Sequence, residues 1–381
     1  MQLAAERLNL ETVLDSGAAP KVAILAPKNN SVIRDKVAIE ATLHNQKGGI
    51  GRVEWRINGV TRGVETLQNV TDDMKLQRTF DVGAGFNVIE IVAYNARNLV
   101  ASLPATIVVT SKPAVPPSLP TLHVLAVGIN DYLASALKLN FADSDATAVG
   151  AAFQLPNSAA GLYKSVVVHP LILDGAATKQ GLQAAFEELG KSVRPEDVFI
   201  LYMSGHGATL DGRYYFIPQD AKDGNLQTQL ESSIGQDQLQ EWMTRVPALR
   251  SVLIYDTCES GSTTEDLTRL RDEQQLMAVE KLSKSSGRTV LTASTDSAPA
   301  REGYKKHAIF TYVLLDALAL ADSNNNGRIE VGELGEYLKA KLPVLSETAK
   351  FGRQVPQVKI TGSDFSLVNR ASVAEIDRIR Q

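Results

Sequence analysis

One cysteine, Cys258, and five histidines are all the thiol and imidazole chemistry that 381 residues carry. A single thiol excludes an internal disulfide, and alone it cannot build a thiolate metal site. A reducing, cytoplasmic compartment is therefore expected. An excess of either charge is also missing: 39 Lys and Arg stand against 43 Asp and Glu, a formal net charge of −4. That balance gives no broad electrostatic basis for binding nucleic acid or an anionic membrane. No apolar run approaches the length of a bilayer span. The first twenty residues, MQLAAERLNLETVLDSGAAP, lack the basic start and apolar core of a signal peptide. What remains, 44% hydrophobic and 22% charged, describes a soluble globular chain long enough for two or three domains.

After an N-terminal extension, residues 1–19, the first third reads as short strands separated by turn residues. Alternation is clearest in Val53-Glu54-Trp55-Arg56-Ile57 and Val88-Ile89-Glu90-Ile91-Val92. Such spacing predicts an all-β sandwich over residues 20–111. The stretch 112–120 belongs to SKPAVPPSLP, whose four prolines stiffen an extended linker and mark a domain boundary. Beyond it the pattern changes. Nearly continuous apolar strands (LHVLAVGIN, SVVVHPLIL, DVFILYMSGHG, SVLIYDTCESG, RTVLTAST) alternate with amphipathic helices. The helix over SIGQDQLQEWMTRV is expected to open on a Ser233/Gln236 capping box. This is the signature of an α/β domain, a mainly parallel sheet covered on both faces, over residues 121–370, with 371–381 as a C-terminal tail. Sites in such sheets form beyond the carboxyl ends of the strands.

Two strands end in glycine-bearing turns, one carrying His206 between Gly205 and Gly207, the other carrying Cys258. An imidazole near a thiol can take its proton, leaving a thiolate able to attack a carbonyl carbon. Backbone N–H groups of Gly207 and Cys258 are natural donors to the oxyanion that forms. The other histidines, His44, His123, His169 and His307, read as structural or surface residues.

YMSGHGA followed by YDTCESG resembles the caspase-like cysteine peptidases, above all their bacterial caspase-homologue and metacaspase branches. The histidine precedes the cysteine by 52 positions (258 − 206), and a separation of about 50 is a known mark of caspases. HVLAVGINDY, LNFADSDATAVGAAF, GRYYFIPQDA and RTVLTASTDSAPAREGYKKHAIFTYVLLDAL extend the likeness over roughly residues 121–345. INGV and DVGAGFNVIEIVAYN resemble bacterial immunoglobulin-like modules.

The resemblance implies an endopeptidase acting on protein or peptide substrates, with Cys258 as nucleophile, His206 as general base, and Gly207 and Cys258 as oxyanion donors. It implies no organic cofactor. Animal caspases have Gln-Ala-Cys where this chain has Asp256-Thr257-Cys258, and their S1 arginines select Asp. Metacaspases carry two aspartates that select Arg or Lys. Asp256 matches the first, and Asp145 the second, with Asp143 as the alternative. Two rivals stay open: a catalytically silent partner-binding module, and a peptidase of different P1 choice switched on by an activating protein partner. The polar, basic stretch 262–288 reads either as a self-cleaved linker or as a solvated helical excursion.

DSNNNGRIEVGE, residues 322–333, fits a twelve-residue calcium loop. Asp322, Asn324, Asn326, the carbonyl of Arg328 and Glu333 would be the Ca2+ ligands. The alternative is an Asn/Gly turn between helices, with Glu333 opening the second.

Overall fold

The computed structural model describes residues 13–113, 118–210, 213–222, 226–259, 279, 283, 286–293 and 303–381, with backbone alone at 68–69, 210, 226–227 and 258–259. They fall into two compact units. One comprises the chain up to the proline-rich stretch together with 194–196 and 243–249, the other the remainder from 118 onward.

The first unit holds β1 (Lys21–Ala26), β2 (Ser31–Ile33), β3 (Lys36–His44), β4 (Ile50–Ile57), β5 (Val60–Val70), β6 (Met74–Asp81), β7 (Gly85–Ala93) and β8 (Ala105–Ser111). They form a sheet of order β1-β3-β6 and a second of order β2-β8-β7-β4-β5. Period-two alternation sends Val37, Ile39, Ala41 and Leu43 of β3, Val53, Trp55 and Ile57 of β4, and Ile89 and Ile91 of β7 into one shared core. Between β4 and β5 the chain reverses at Asn58-Gly59, with φ of 52° and 80°. Two left-handed residues make the turn whose twist suits a tight hairpin.

The second unit is built on β9 (Thr121–Gly128), β10 (Ser165–Val168), β11 (Ile172–Leu173), β12 (Val198–Leu210), β13 (Arg213–Phe216), β14 (Ile234–Gly235), β15 (Arg250–Glu259), β16 (Thr289–Thr292), β17 (Arg328–Glu330), β18 (Gln357–Lys359) and β19 (Ser366–Asn369). Its helices are α1 (Ala142–Phe153), α2 (Lys179–Ser192), α3 (Leu226–Ser232), α4 (Gln236–Thr244), α5 (Ile309–Leu320), α6 (Val331–Thr348) and α7 (Val373–Ile379). The central sheet has the order β10-β9-β12-β15-β16-β18. The first five strands are parallel and β18 is antiparallel to β16. On one face Leu122, Val124, Ala126, Ile200, Tyr202, Val252 and Ile254 pack with α1, α5 and α6. Residues of the opposite parity, Phe199, Leu201, Met203 and Leu253, are equally buried, as a sheet covered on both faces requires.

Four local expectations change. The apolar run 165–173 is two strands, because Pro170 interrupts it and has no N–H for the ladder. Ser233 does not cap a helix: its Oγ donates to the Gln229 carbonyl, residues 234–235 pair with β13, and α4 begins at Gln236. The SGHG and DTCESG motifs do not leave the sheet at their first polar residue. β12 continues to Leu210 because β13 folds back on it antiparallel, and β15 continues to Glu259 beside it. Residues 371–381 are no loose tail. Ser372 and Glu375 form a reciprocal cap, Ile376 is buried, and Arg380 bonds the Tyr312 carbonyl and Asp316 on α5.

Candidate active site

β12 and β15 run parallel with Ser204 opposite Asp256 and His206 opposite Cys258, at the carboxyl end of the sheet. Two residues distant in sequence thus become lateral neighbours through register alone.

His206 is held from both ends. Its backbone N–H donates to Tyr132 Oη at 2.7 Å, and its Nε2 lies 2.9 Å from the Leu137 carbonyl oxygen. A carbonyl can only accept, so Nε2 carries the proton and, in the neutral ring, Nδ1 carries the lone pair. Nδ1 is buried and has no hydrogen-bond partner among the described residues. Burial lowers the imidazole's pKa from its usual value, partly offset by the Leu137 bond, so the ring is neutral at neutral pH. The Tyr132 ring flanks it at 5.2 Å. Gly205 makes that approach possible, since a Cβ there would sit 2.6 Å from Tyr132 Oη. Tyr132 and Leu137 were not singled out in the sequence. Tyr132 closes the GINDY stretch, but nothing local announces that its hydroxyl meets a strand 74 residues away.

Two residues earlier on β15 lies Asp256, whose charged neighbour is Asp145. Asp256 is 4% exposed and Asp145 fully buried. Thr311 Oγ1 donates to Asp256 Oδ2 at 2.5 Å and lies 2.5 Å from Tyr202 Oη. Tyr202 also bonds the Asp256 carboxyl. Burial, and then the charge of Asp145, push the Asp256 carboxyl up to about 7. Asp145, on the first turn of α1, accepts from His307 Nδ1 at 2.6 Å and from the Ala308 N–H at 3.1 Å. Asp143 faces other partners, the Asn130 side-chain amide and the Ser144 N–H. Of the two candidates on α1, Asp145 is the one whose charge acts on Asp256.

The remaining histidines divide. His44 pairs exposed Asp73, while His123 stacks on His169 and meets buried Asp197 at 3.5 Å. His307, read as structural or surface, sits in the aspartate cluster.

The 322–333 loop folds as a turn from α5 into α6. Asp322 accepts the N–H groups of Asn326 and Gly327 and lies 3.2 Å from Arg370. The Asn324 and Asn326 side-chain oxygens accept the N–H groups of Asn326 and Arg328. Glu333 Oε1 accepts from Ser323 and Asn324, and its Oε2 takes the Glu330 N–H in a reciprocal cap of α6. Among the described residues no three His, Cys, Asp or Glu side chains gather as metal ligands.

The fold and site define a caspase-like α/β domain following an all-β one. Residues 121–364, well over half the chain, match the caspase domain family of peptidases, and residues 20–82 match the bacterial Ig domain. The chain belongs to the caspase domain family. It is similar to metacaspase-1 of Ajellomyces capsulatus, 30% identical over 132 residues, which cover 32% of this chain and 35% of that protein. Among solved structures it resembles protein GSU0716 from Geobacter sulfurreducens (16% identity, TM-score 0.42, 64% of this chain and 94% of that one). It also resembles caspase-1 from Spodoptera frugiperda (9% identity, TM-score 0.38, 64% and 89%). Among the described residues no helix is long and apolar enough to cross a membrane.

Proposed function

We propose that this protein is a cysteine endopeptidase that cuts after Arg or Lys through a Cys258/His206 dyad. The observation that carries the reading is the register: position 258 stands directly opposite an imidazole whose Nδ1 is bare, buried and unpartnered among the described residues. In the proposed reaction Nδ1 takes the thiol proton and the thiolate attacks the scissile carbonyl. The N–H groups of Gly207 and Cys258 hold the oxyanion. Collapse breaks the C–N bond, the leaving amine receives the proton from Nδ1, and water then hydrolyses the thioester. Asp256 and Asp145 would receive the cationic P1 side chain, as buried carboxylates suit a guanidinium or ammonium. A panel of fluorogenic peptides varied at P1, run on wild type and Cys258→Ala with and without Ca2+, tests the whole reading. An electrophilic peptide that fails to label Cys258 would favour the silent partner-binding module instead. A P1 preference outside Arg and Lys, seen only with an activating protein, would favour the second rival.

Self-processing would follow from basic-P1 specificity. Cleavage after Arg269, Arg271, Lys281, Lys284 or Arg288 is the expectation for a basic 262–288 linker, but Arg288 is 1% exposed, next to the start of β16, with its guanidinium on Ser251 Oγ. Arg269, Arg271, Lys281 and Lys284 lie outside the described residues. Intact-mass analysis of wild type against Cys258→Ala is expected to show cutting after one or more of these four and none after Arg288. A wild-type chain that stays whole while cleaving peptides would leave the segment as an uncut excursion.

For the 322–333 loop we favour the capped turn, since a cation would have to displace the N–H donors on Glu333 and compete with Arg370 for Asp322. Calorimetry at millimolar Ca2+ is expected to give no saturable heat and no rise in Tm. Saturable heat abolished by both Asp322→Ala and Glu333→Gln would restore the calcium reading.

A further inference from the structure

The two buried aspartates are served by different kinds of donor. Asp256 receives hydroxyls, from Thr311 and Tyr202, whereas Asp145 receives an imidazole N–H, from His307. His307 is itself 4% exposed, so the pair is shielded from water. It is delivered by a tight reversal in which Tyr304 and His307 bridge across Lys305 and Lys306, both left-handed, with φ of 49° and 71°. Left-handed backbone at two successive non-glycine residues is costly, and such strain concentrates at functional positions.

Among the described residues, neighbouring charged groups have partners of their own. Asp143 on α1 is taken by Asn130 and Ser144. Lys305 lies over the Tyr304 and Tyr312 rings, and Lys306 donates to the Gln381 carbonyl. Tyr202 on β12 bonds both the Thr311 hydroxyl and the Asp256 carboxyl. His307 is a side chain that donates directly to Asp145, and it can do so to the charged form of the carboxylate.

We propose that His307 is a specificity-setting residue: by donating Nδ1–H to Asp145 it keeps the Asp145/Asp256 pair anionic, and so able to hold a cationic P1 side chain. The inference rests on the reading of these two aspartates as the P1 pocket. Two carboxylates in one buried site cannot both ionise freely, and a hydrogen bond to the charged form is what tips the balance. Without the imidazole, the pair retains a proton into higher pH and attracts a cation less. His307 touches neither the dyad nor the scissile bond in this scheme, so it acts through Asp145.

The test is steady-state kinetics of the full chain between pH 5.5 and 9 on Arg, Lys and uncharged P1 peptides, with His307→Ala, His307→Gln and Asp256→Asn. A one-unit rise in the pair's proton affinity corresponds to about tenfold in binding. Because the carboxyl at about 7 is already half protonated at pH 7, His307→Ala is expected to raise KM for Arg and Lys peptides about fivefold there, far more than for uncharged ones, with the effect on KM rather than kcat. The acidic limb of kcat/KM should move up by about one pH unit, so that the defect fades by pH 9. His307→Gln keeps an N–H donor and should recover much of the KM. An acidic limb that stays in place in both variants, while Asp256→Asn still removes basic preference, would overturn the role of His307 alone. A wild type without basic preference would overturn the pocket reading and this inference together. Should His307→Ala fail to fold, His307→Gln decides by the same criterion, a smaller shift in the same direction.

Discussion

Cys258→Ala and His206→Ala are each expected to reduce peptide turnover by at least about 10⁴-fold while leaving the fold intact. The cysteine change removes the only thiol in the chain. The histidine change removes the base that register brings opposite it. The two effects should not add, since in the proposed dyad neither residue performs the reaction without the other, and the double variant should be no worse than either single one. Near-UV circular dichroism and Tm report the fold, and single-turnover assays report the chemistry. Burial lowers the His206 pKa from its usual value, so loss of kcat on acidification should set in below the usual histidine range. Wild-type turnover by Cys258→Ala would end the proposed mechanism.

Asp256→Asn is expected to lower kcat/KM for Arg and Lys substrates about 100-fold, the scale of removing one partner from a buried charge pair. A neutral P1 should be affected much less. The pH dependence has a definite sign. The Asp256 carboxyl is raised to about 7, so it is protonated below that pH and a basic P1 then meets a weaker anion. KM for Arg peptides should therefore climb as pH falls through about 7, before kcat responds, and binding should release a proton. Stability carries the opposite sign. A carboxyl whose folded pKa is raised stabilises the fold most below its unfolded value, and that contribution is lost as pH rises through about 7. Asp256→Asn should accordingly be more stable than wild type at pH 8, and the margin should shrink at pH 4. An enzyme preferring Asp or Leu at P1 would refute the pocket.

The parts of this site that could be read in the sequence are those that depend on local pattern. Continuous apolar runs identify β9, β12 and β15 as buried parallel strands, and the ends of two of them carry the histidine and the cysteine. The Asn58-Gly59 turn, which was not singled out in the sequence, carries a signal just as local: two residues suited to left-handed backbone between alternating strands. What stayed hidden was lateral. His307 looked like any histidine before a helix, and only the packing of α5 beside α1 brings it to Asp145, 162 positions away. Tyr132 and the Leu137 carbonyl are likewise defined by what the loop after β9 touches. Arg288 read as part of a solvated basic segment, yet it is packed away beside β16. Charge in a sequence says nothing about exposure until its neighbours are known.

The placement of β18 bears on how copies of this chain can meet. A strand ending a sheet offers a row of unused N–H and C=O groups, which a second molecule can extend. Here β16 does not end the sheet, because Gln357–Lys359 runs antiparallel along it, through Val290–Thr292. The covering strand is only three residues long, follows Pro356 and finishes on Lys359. Brevity, a residue without an N–H and a terminal charge all discourage further addition. Two copies therefore cannot merge into one continuous sheet through β16, and pairing of that kind would first require β18 to peel away.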